Sequence, residues 1–330
     1  IWDGKIRLYS MVTYQLGVGL FGQLCKFAKD RGYNIVTKES PFGLPNDIND
    51  TTREQVKSFA KSLKLPHVPD DYQIDAVHKS IKWNRRTLLS PTGSGKSMII
   101  YILMRWWLNK QSKGKILIVV PTIGLVTQLI NDFEEYGYDT ELCHAIYAGE
   151  EKDTKKRIVV STWQSIYKLP SSWFNKFMAV FGDECHGFQA DSLTRIMNKS
   201  HKAKYRVGTT GTLDGTEIHK LVLESMFGPV HKTITTKELQ ERGRLADLQI
   251  NFIHLDYPDN IKKGFKLDYQ KESQFLVEYG PRNDFIVNLS LHLKGNTLIL
   301  FRYVEKHGQI LYDQLCDTNT DKDRRIFYVH

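Results

Sequence analysis

The sequence predicts an α/β fold built on a parallel sheet, and three features predict it. Short apolar stretches recur at Thr87–Leu89, Ile116–Val120, Ile158–Val160 (after Arg157) and Phe177–Gly182, and a continuous run such as 116–120 suits a strand buried on both faces. Helical periodicity fills stretches between them, as in Leu125, Leu129, Ile130 and Phe133. A glycine turn, Ser90-Pro91-Thr92-Gly93-Ser94-Gly95-Lys96-Ser97, joins the first run to an apolar helix over 98–108.

The totals bound the rest. A chain of 330 residues has room for two or three domains. With 41% apolar and 25% charged residues it has the composition of a soluble globular protein. Cys25, Cys143, Cys185 and Cys316 are scattered, which argues against a disulfide framework or zinc site and fits a reducing cytoplasm. No apolar run approaches the roughly 18 residues of a membrane span, and no secretory signal opens the chain. It opens on Ile1 and closes on Tyr328-Val329-His330, inside an expected strand; a longer parent protein is expected. The net charge of +9 permits a nucleic-acid partner and fits an indifferent basic surface equally well. The run Lys152-Asp153-Thr154-Lys155-Lys156-Arg157 is mixed in sign and predicts a solvated loop.

Taken in order, residues 1–65 predict a small, separate α+β accessory domain that is either a structural cap or a DNA contact. Ile6, Leu8, Tyr9 and Val12 suggest a strand or hairpin, 21–31 a helix, Ile35-Val36-Thr37 a strand and 40–47 a loop. Thr51 or Thr52 caps a helix from Arg53 to Leu65. Pro66-His67-Val68-Pro69 is a stiff linker, and Asp70 or Asp71 caps an amphipathic helix to Trp83. A helix over 124–136 follows the 116–120 strand. Tyr205–Gly208 is a further strand. Beyond it come helices near 218–226 and 236–242 and a weak strand at 248–255. Residues 256–294 form a linker with some helix, including one from Pro281 to Leu293. The strands 296–301 and 325–329 flank a helix at 304–315 and open a second α/β domain at 295–330. The main domain is therefore 66–255.

The glycine turn carries the chemistry. Backbone N–H groups in such a turn and at a helix N-terminus make an anion site. Lys96 then reaches the β- and γ-phosphates of a nucleotide, and the Ser97 hydroxyl holds Mg2+. Ser90 stands where this motif has its first glycine. Gln73, just upstream, is placed to pair with adenine through its carboxamide, although helix-start glutamines are usually only solvated. The strand 177–182 ends in Asp183-Glu184-Cys185-His186. Paired carboxylates there supply the second half of an ATPase site: Asp183 organises Mg2+ and Glu184 orients and deprotonates water. Thr209-Thr210-Gly211-Thr212 closes another strand, so four strands end at one rim, where open α/β sheets bind ligands.

With these residues in hand, the chain resembles the superfamily 2 helicases, and within them the phage UvsW-type helicases. The matching positions are Tyr72-Gln73 (Q motif), Pro91–Ser97 (motif I), Pro121-Thr122 with Leu125 and Gln128 (motif Ia), and Thr162-Trp163-Gln164-Ser165 (motifs Ib and Ic). Asp183–His186 is motif II and Thr210-Gly211-Thr212 is motif III. Residues 2–8, Phe227-Gly228-Pro229 and Leu300–Val304 also resemble the phage group. The resemblance implies RecA-like domains: one at 66–255, and the start of a second at 295–330. It implies ATP and Mg2+ as cofactors, with Tyr72, Gln73, Pro91, Thr92, Gly93, Ser94, Gly95, Lys96 and Ser97 around the nucleotide. It implies His186 as the link from the γ-phosphate to motif III. Thr122, Thr162, Gln164, Thr210 and Thr212 would hold nucleic acid or couple to it. Hydroxyl and amide groups at strand ends can hold phosphates without reading sequence; an ordinary cap at Thr122 and ordinary turn residues at Thr162 and Gln164 are the competing explanation.

The implied activity is an ATP-driven motor on branched or forked DNA or RNA–DNA hybrids in phage recombination, repair and replication, acting as a monomer in the host cytoplasm. Cys185 departs from the family's usual Ala but is small and apolar; Gly211 departs mildly from Ala. Motifs V and VI, with their arginine finger, are expected after His330. Two alternatives stay open: a double-stranded DNA translocase of restriction-motor type, and a passive DNA-binding module with a relic ATP site.

Overall fold

The computed structural model describes residues 7–38, 48–189, 191–259, 261 and 268–329. The expected loop at 40–47 and the first residues of the N-terminal resemblance lie outside them. The chain forms two compact units, Ile1–Asp247 and Leu248–His330.

The first unit is organised by seven parallel strands. A short antiparallel pair, β1 (Tyr9–Ser10) and β2 (Gln15–Leu16), precedes them. The sheet strands are β3 (Arg85–Leu89), β4 (Lys115–Val120), β5 (Cys143–Ile146), β6 (Ile158–Thr162), β7 (Phe177–Gly182), β8 (Tyr205–Thr210) and β9 (Val230–Lys232). Their order is β5-β6-β4-β7-β8-β3-β9, every pairing parallel. All C-terminal ends therefore share one rim. The two edge strands, β5 and β9, were not expected; both are short and only partly apolar, so neither produces a buried-strand pattern.

Ten helices accompany these strands among the described residues: α1 (Phe21–Asp30), α2 (Arg53–Ser62), α3 (Asp71–Trp83), α4 (Lys96–Lys110), α5 (Ile123–Glu135), α6 (Trp163–Ile166), α7 (Ser171–Phe174), α8 (Asp191–Lys199), α9 (Glu217–Phe227) and α10 (Thr236–Glu241). β4 shows why both faces of the sheet must be covered. Its Ile116, Ile118 and Val120 join one core with residues of α2, α3, α4 and α5. Its Leu117 and Val119 join the other with residues of α6, α7, α8 and α9. Side chains alternate along a strand, so an unbroken apolar run needs a layer on each face.

The described residues of the expected separate domain at 1–65 fall in the same compact unit as the sheet. Val56 and Ala60 of α2 are buried in the sheet's first core. Arg53 pairs with Asp71 at 2.9 Å, and the Asn49 N–H donates to the Lys82 carbonyl at 2.7 Å. Gln23 of α1 donates to the Glu224 carboxylate at 2.6 Å. Gly19 lies so close to α9 that a Cβ there would fall 1.7 Å from the Glu224 carbonyl oxygen. α2 thus adds its apolar face to the larger core, while α1, with Leu24 and Phe27 exposed, is tied to α9 by the Gln23 bond. Ile35–Thr37 forms no strand.

The unit boundary at Asp247 differs from the expected 255. The segment 248–255 forms no strand; Leu248, Ile250, Phe252 and Ile253 are exposed. The second unit holds α11 (Tyr269–Glu278), α12 (Gly280–His292), a π-turn at Val304–Gly308 and α13 (Gln309–Thr318). Its core is Val287, Leu311 and Leu315, with Ile299 and Ile326 against them. The segments 296–301 and 325–329 keep strand-like alternation: Leu298, Leu300, Phe327 and Val329 are exposed while Ile299 and Ile326 are packed. They form no ladder among the described residues. No helix among those residues is long and apolar enough to cross a membrane.

Candidate active site

The loop 90–95 leaves the end of β3 and enters α4 at Lys96. Its turn requires left-handed backbone at Gly93 (φ 79°) and Gly95 (φ 73°), a conformation that costs other residues about 1 kcal/mol or more. A Cβ on Gly95 would also lie 2.3 Å from Gln73 Nε2. Ser90, the residue in place of glycine, is wholly buried and used. Its hydroxyl bonds Ser94 Oγ at 2.7 Å and accepts from Thr233 Oγ1 at 2.9 Å. The loop is thus latched to the segment after β9, a role that glycine could not fill.

From the other side, α3 grips the loop. Tyr72 Oη donates to the Ser94 carbonyl at 3.0 Å and Gln73 Nε2 donates to the same oxygen at 2.9 Å. Gln73 Oε1 accepts the Asp70 N–H at 2.8 Å in a capping box. Both ends of the Gln73 carboxamide are thus engaged with protein, and the residue is buried. Its observed work is to tie a helix N-terminus to the phosphate loop.

Facing the loop, β7 delivers the acidic pair. Asp183 follows the strand directly, and its carboxylate accepts Thr209 Oγ1 at 2.6 Å and the Glu184 N–H at 3.0 Å. Burial pushes the Asp183 carboxyl above the usual carboxylate range, against the lowering effect of the Thr209 hydrogen bond and the Lys96 charge. Glu184 has a left-handed backbone, φ 47°. The bond from its own N–H to Asp183 holds it there and aims its side chain at the loop. Lys96 Nζ donates to Glu184 Oε1 at 2.8 Å.

His186 completes the contact with β8. Its Nδ1 lies 3.0 Å from Thr210 Oγ1 and 3.4 Å from Glu184 Oε2. The Thr210 hydroxyl donates to the Thr212 carbonyl at 2.9 Å, so Thr210 Oγ1 accepts from His186, and the network assigns the proton to Nδ1. Gly211 crosses over the loop: a Cβ there would sit 3.8 Å from Lys96 Nζ and from the Thr92 N, ordinary contact distance. Cys185 is fully buried among the apolar side chains of the second core, which pushes its thiol pKa up and leaves it inert.

Five residues were expected at nucleic acid, and the structure divides them. Thr122, Gln164 and Thr212 are exposed on the rim. Thr122 caps α5, accepting the Leu125 N–H at 3.3 Å, and Gln164 donates to the Pro121 carbonyl at 3.2 Å. Thr162 and Thr210 are buried. The Thr162 hydroxyl bonds Ser165 Oγ at 3.0 Å, and Thr210 serves His186. Neither presents its hydroxyl at the surface.

Several members of the site carried no signal in the sequence. Tyr136 Oη bonds Ser97 Oγ at 3.0 Å, across 39 residues of chain. His219 is buried; its Nε2 donates to the His186 carbonyl at 3.0 Å and its Nδ1 lies 3.2 Å from the Asp214 N. Thr209 stands in the hydroxyl-rich strand end legible in the sequence, but its bond to Asp183 is not.

The donor set fits a nucleoside triphosphate with Mg2+: loop N–H groups, one lysine, one hydroxyl and two carboxylates. Mg2+ is typically held by one or two carboxylates plus phosphates. Among the described residues no group of three or more His, Cys, Asp or Glu could hold a metal ion.

Comparison with known proteins agrees with this geometry. The family model described as type III restriction enzyme, res subunit, matches residues 66–215. The ATP-dependent DNA helicase uvsW of Enterobacteria phage T4 is 33% identical over 345 residues, covering 99% of this chain and 66% of its own. A DNA 3'-5' translocase of Sulfurisphaera tokodaii is 28% identical over 232 residues, covering 69% of this chain and 50% of its own. The chain thus spans between half and two thirds of these relatives' length. A crystal structure of the T4 UvsW helicase matches with TM-score 0.63 and 33% identity over 70% of this chain and 83% of that one. A second T4 UvsW structure gives TM-score 0.63 and 31% identity over 97% and 64%.

Proposed function

Because this chain belongs to the UvsW-type superfamily 2 helicases, we propose that it supplies the nucleotide-binding part of an ATP-driven DNA helicase that remodels branched or forked DNA and RNA–DNA hybrids. The observation that carries the reading is the contact between phosphate loop and acidic pair, Lys96 Nζ on Glu184 Oε1 at 2.8 Å.

With nucleotide bound, the loop N–H groups and Lys96 would hold the phosphates, and Ser97 and Asp183 would hold Mg2+. The metal supplies charge neutralisation at the phosphate oxygens. The chain's own residues do the rest. Lys96 and Glu184 neutralise each other in this structure, so neither is free for chemistry. A polyphosphate competes for Lys96 and releases the Glu184 carboxylate to take a proton from water. Asp183 is fixed by Thr209 and the Glu184 N–H, so this exchange does not disturb it. His186, protonated on Nδ1, links Glu184 to Thr210 on the neighbouring strand. That link joins the acidic pair to the 210–212 segment, and Thr122, Gln164 and Thr212 sit on the same rim. In this reading they would grip a nucleic-acid backbone, an interaction that is sequence-independent and salt-dependent.

One observation favours a second reading. The matching family model is a restriction-enzyme subunit and one relative is a DNA translocase, so the motor could move along duplex DNA without separating strands. Strand displacement on a forked substrate and triplex displacement on a linear duplex, measured side by side with the full-length protein, decide between them. Strand displacement is the expected result; triplex displacement alone selects the translocase. Absence of ATP hydrolysis with every DNA added refutes both and leaves a passive binding module.

A further inference from the structure

A cavity of about 680 Å3 opens at the edge of the sheet opposite the nucleotide rim. Arg157 precedes β6, Tyr138 and Leu142 precede β5, and Leu108 lies in the last turn of α4, so all belong to the strands' N-terminal side. Its apolar lining is Leu63, Leu108 and Leu142 with the rings of Phe59 and Tyr138. Its charged lining is cationic, Arg105, Lys155, Lys156 and Arg157, and no acidic residue lines it. Asp139 and Glu141 belong to the same segment as Leu142 but are not among the lining residues.

Three of these cations are held in place by neutral groups. Arg157 donates to the Gly114 carbonyl at 3.1 Å and the Gln111 carbonyl at 2.7 Å. Lys156 Nζ donates to the Cys143 carbonyl at 3.0 Å. Arg105 donates to Tyr101 Oη at 2.6 Å and lies 5.3 Å from the centre of the Tyr138 ring. Carbonyls and a phenol orient a cation without cancelling it. Among the described residues none of the four makes an ion pair. Charges already fixed in direction lose little freedom when a ligand arrives, and a carboxylate there gains charge-assisted hydrogen bonds.

We infer that this cavity is a docking site for an acidic peptide segment of a partner protein. One aliphatic or aromatic side chain of that segment sits on Leu63, Leu108 and Leu142, and flanking carboxylates meet the four cations. A nucleic-acid backbone would satisfy the cations but leave the three leucines uncovered, and the exposed rim residues Thr122, Gln164 and Thr212 lie on the other edge of the sheet. The inference is independent of the motor reading, because none of these residues belongs to the nucleotide site.

The test is fluorescence anisotropy of the whole chain with a fluorescein-labelled peptide in which Asp and Glu alternate with Leu and Phe, at physiological ionic strength. Saturable binding is expected, weakened on the order of tenfold or more by Lys155→Glu with Lys156→Glu, as for loss of paired interface charges. Leu142→Asp, at a half-exposed position, should weaken it as well, and so should replacing Leu and Phe of the peptide by Ser. Melting curves verify folding; if the double charge reversal melts early, Lys155→Ala with Lys156→Ala replaces it. Absence of saturable binding, or equal binding by the variants, overturns the inference. Displacement of the peptide by a single-stranded oligonucleotide whose own binding depends on Lys155 and Lys156 also overturns it and assigns the cavity to nucleic acid.

Discussion

Replacing Glu184 by Gln should separate nucleotide binding from hydrolysis in opposite directions. In the structure the Glu184 carboxylate holds Lys96 at 2.8 Å, and the two side chains are 30% and 14% exposed. Phosphate must break this pair before it can use Lys96. The carboxamide keeps the shape and a hydrogen-bond acceptor but removes the competing charge. The pair is largely buried but open to solvent at Glu184; desolvation offsets much of its Coulomb attraction, leaving a net contribution of about 1 kcal/mol, so nucleotide should bind about fivefold more tightly. Turnover should fall by about 10²–10⁴, the usual contribution of a general base. Titration with a fluorescent nucleotide reads the first effect, and phosphate release in the presence of DNA reads the second. Weaker nucleotide binding together with normal phosphate release would show that Glu184 neither restrains Lys96 nor activates water.

Two further outcomes follow from the same geometry. Gly95→Ala places a Cβ 2.3 Å from Gln73 Nε2 at a φ of +73°; it should destabilise the protein by about 1–3 kcal/mol and abolish nucleotide binding. Gly211→Ala, whose Cβ meets only ordinary contacts at 3.8 Å, should leave melting temperature and binding unchanged, and loss of binding there would contradict the loop placement. Asp183→Asn addresses burial. The folded protein holds this carboxyl's pKa above its unfolded value of 3.8, so between the two values the folded state binds more protons and stability declines as pH rises. Removing the buried charge should raise the melting temperature at pH 7, with the gain fading as pH falls through the raised pKa towards 3.8. A gain independent of pH would assign the effect to something other than ionisation.

Much of the site was legible in the chain because its signals are local. A glycine turn between a strand and a helix, and carboxylates at the end of an apolar strand, each fit within about eight residues. Where signals depend on distant partners they were silent. Tyr136 reaches Ser97 only because α4 and α5 pack in one core, and His219 reaches the His186 carbonyl only because β7 and β8 stand side by side. Thr162 and Thr210 have the right chemistry for phosphate contact at strand ends, yet packing buries both. Residues 17–62 show helix and turn patterns of their own, but Val56, Ala60 and Gln23 are spent on the larger core and on Glu224.

The sequence by itself determined the α/β class, the phosphate loop, the acidic pair and the shared rim, since period, turn chemistry and motif spacing are properties of short segments. Tertiary structure alone decided the strand order, the edge strands β5 and β9, and the packing of α2 onto the main core. It also set the Lys96–Glu184 pair, the raised pKa of Asp183 and the latch that makes Ser90 useful. The physical reason is that burial and pairing belong to residues brought together by packing, and no neighbour in the chain reports them.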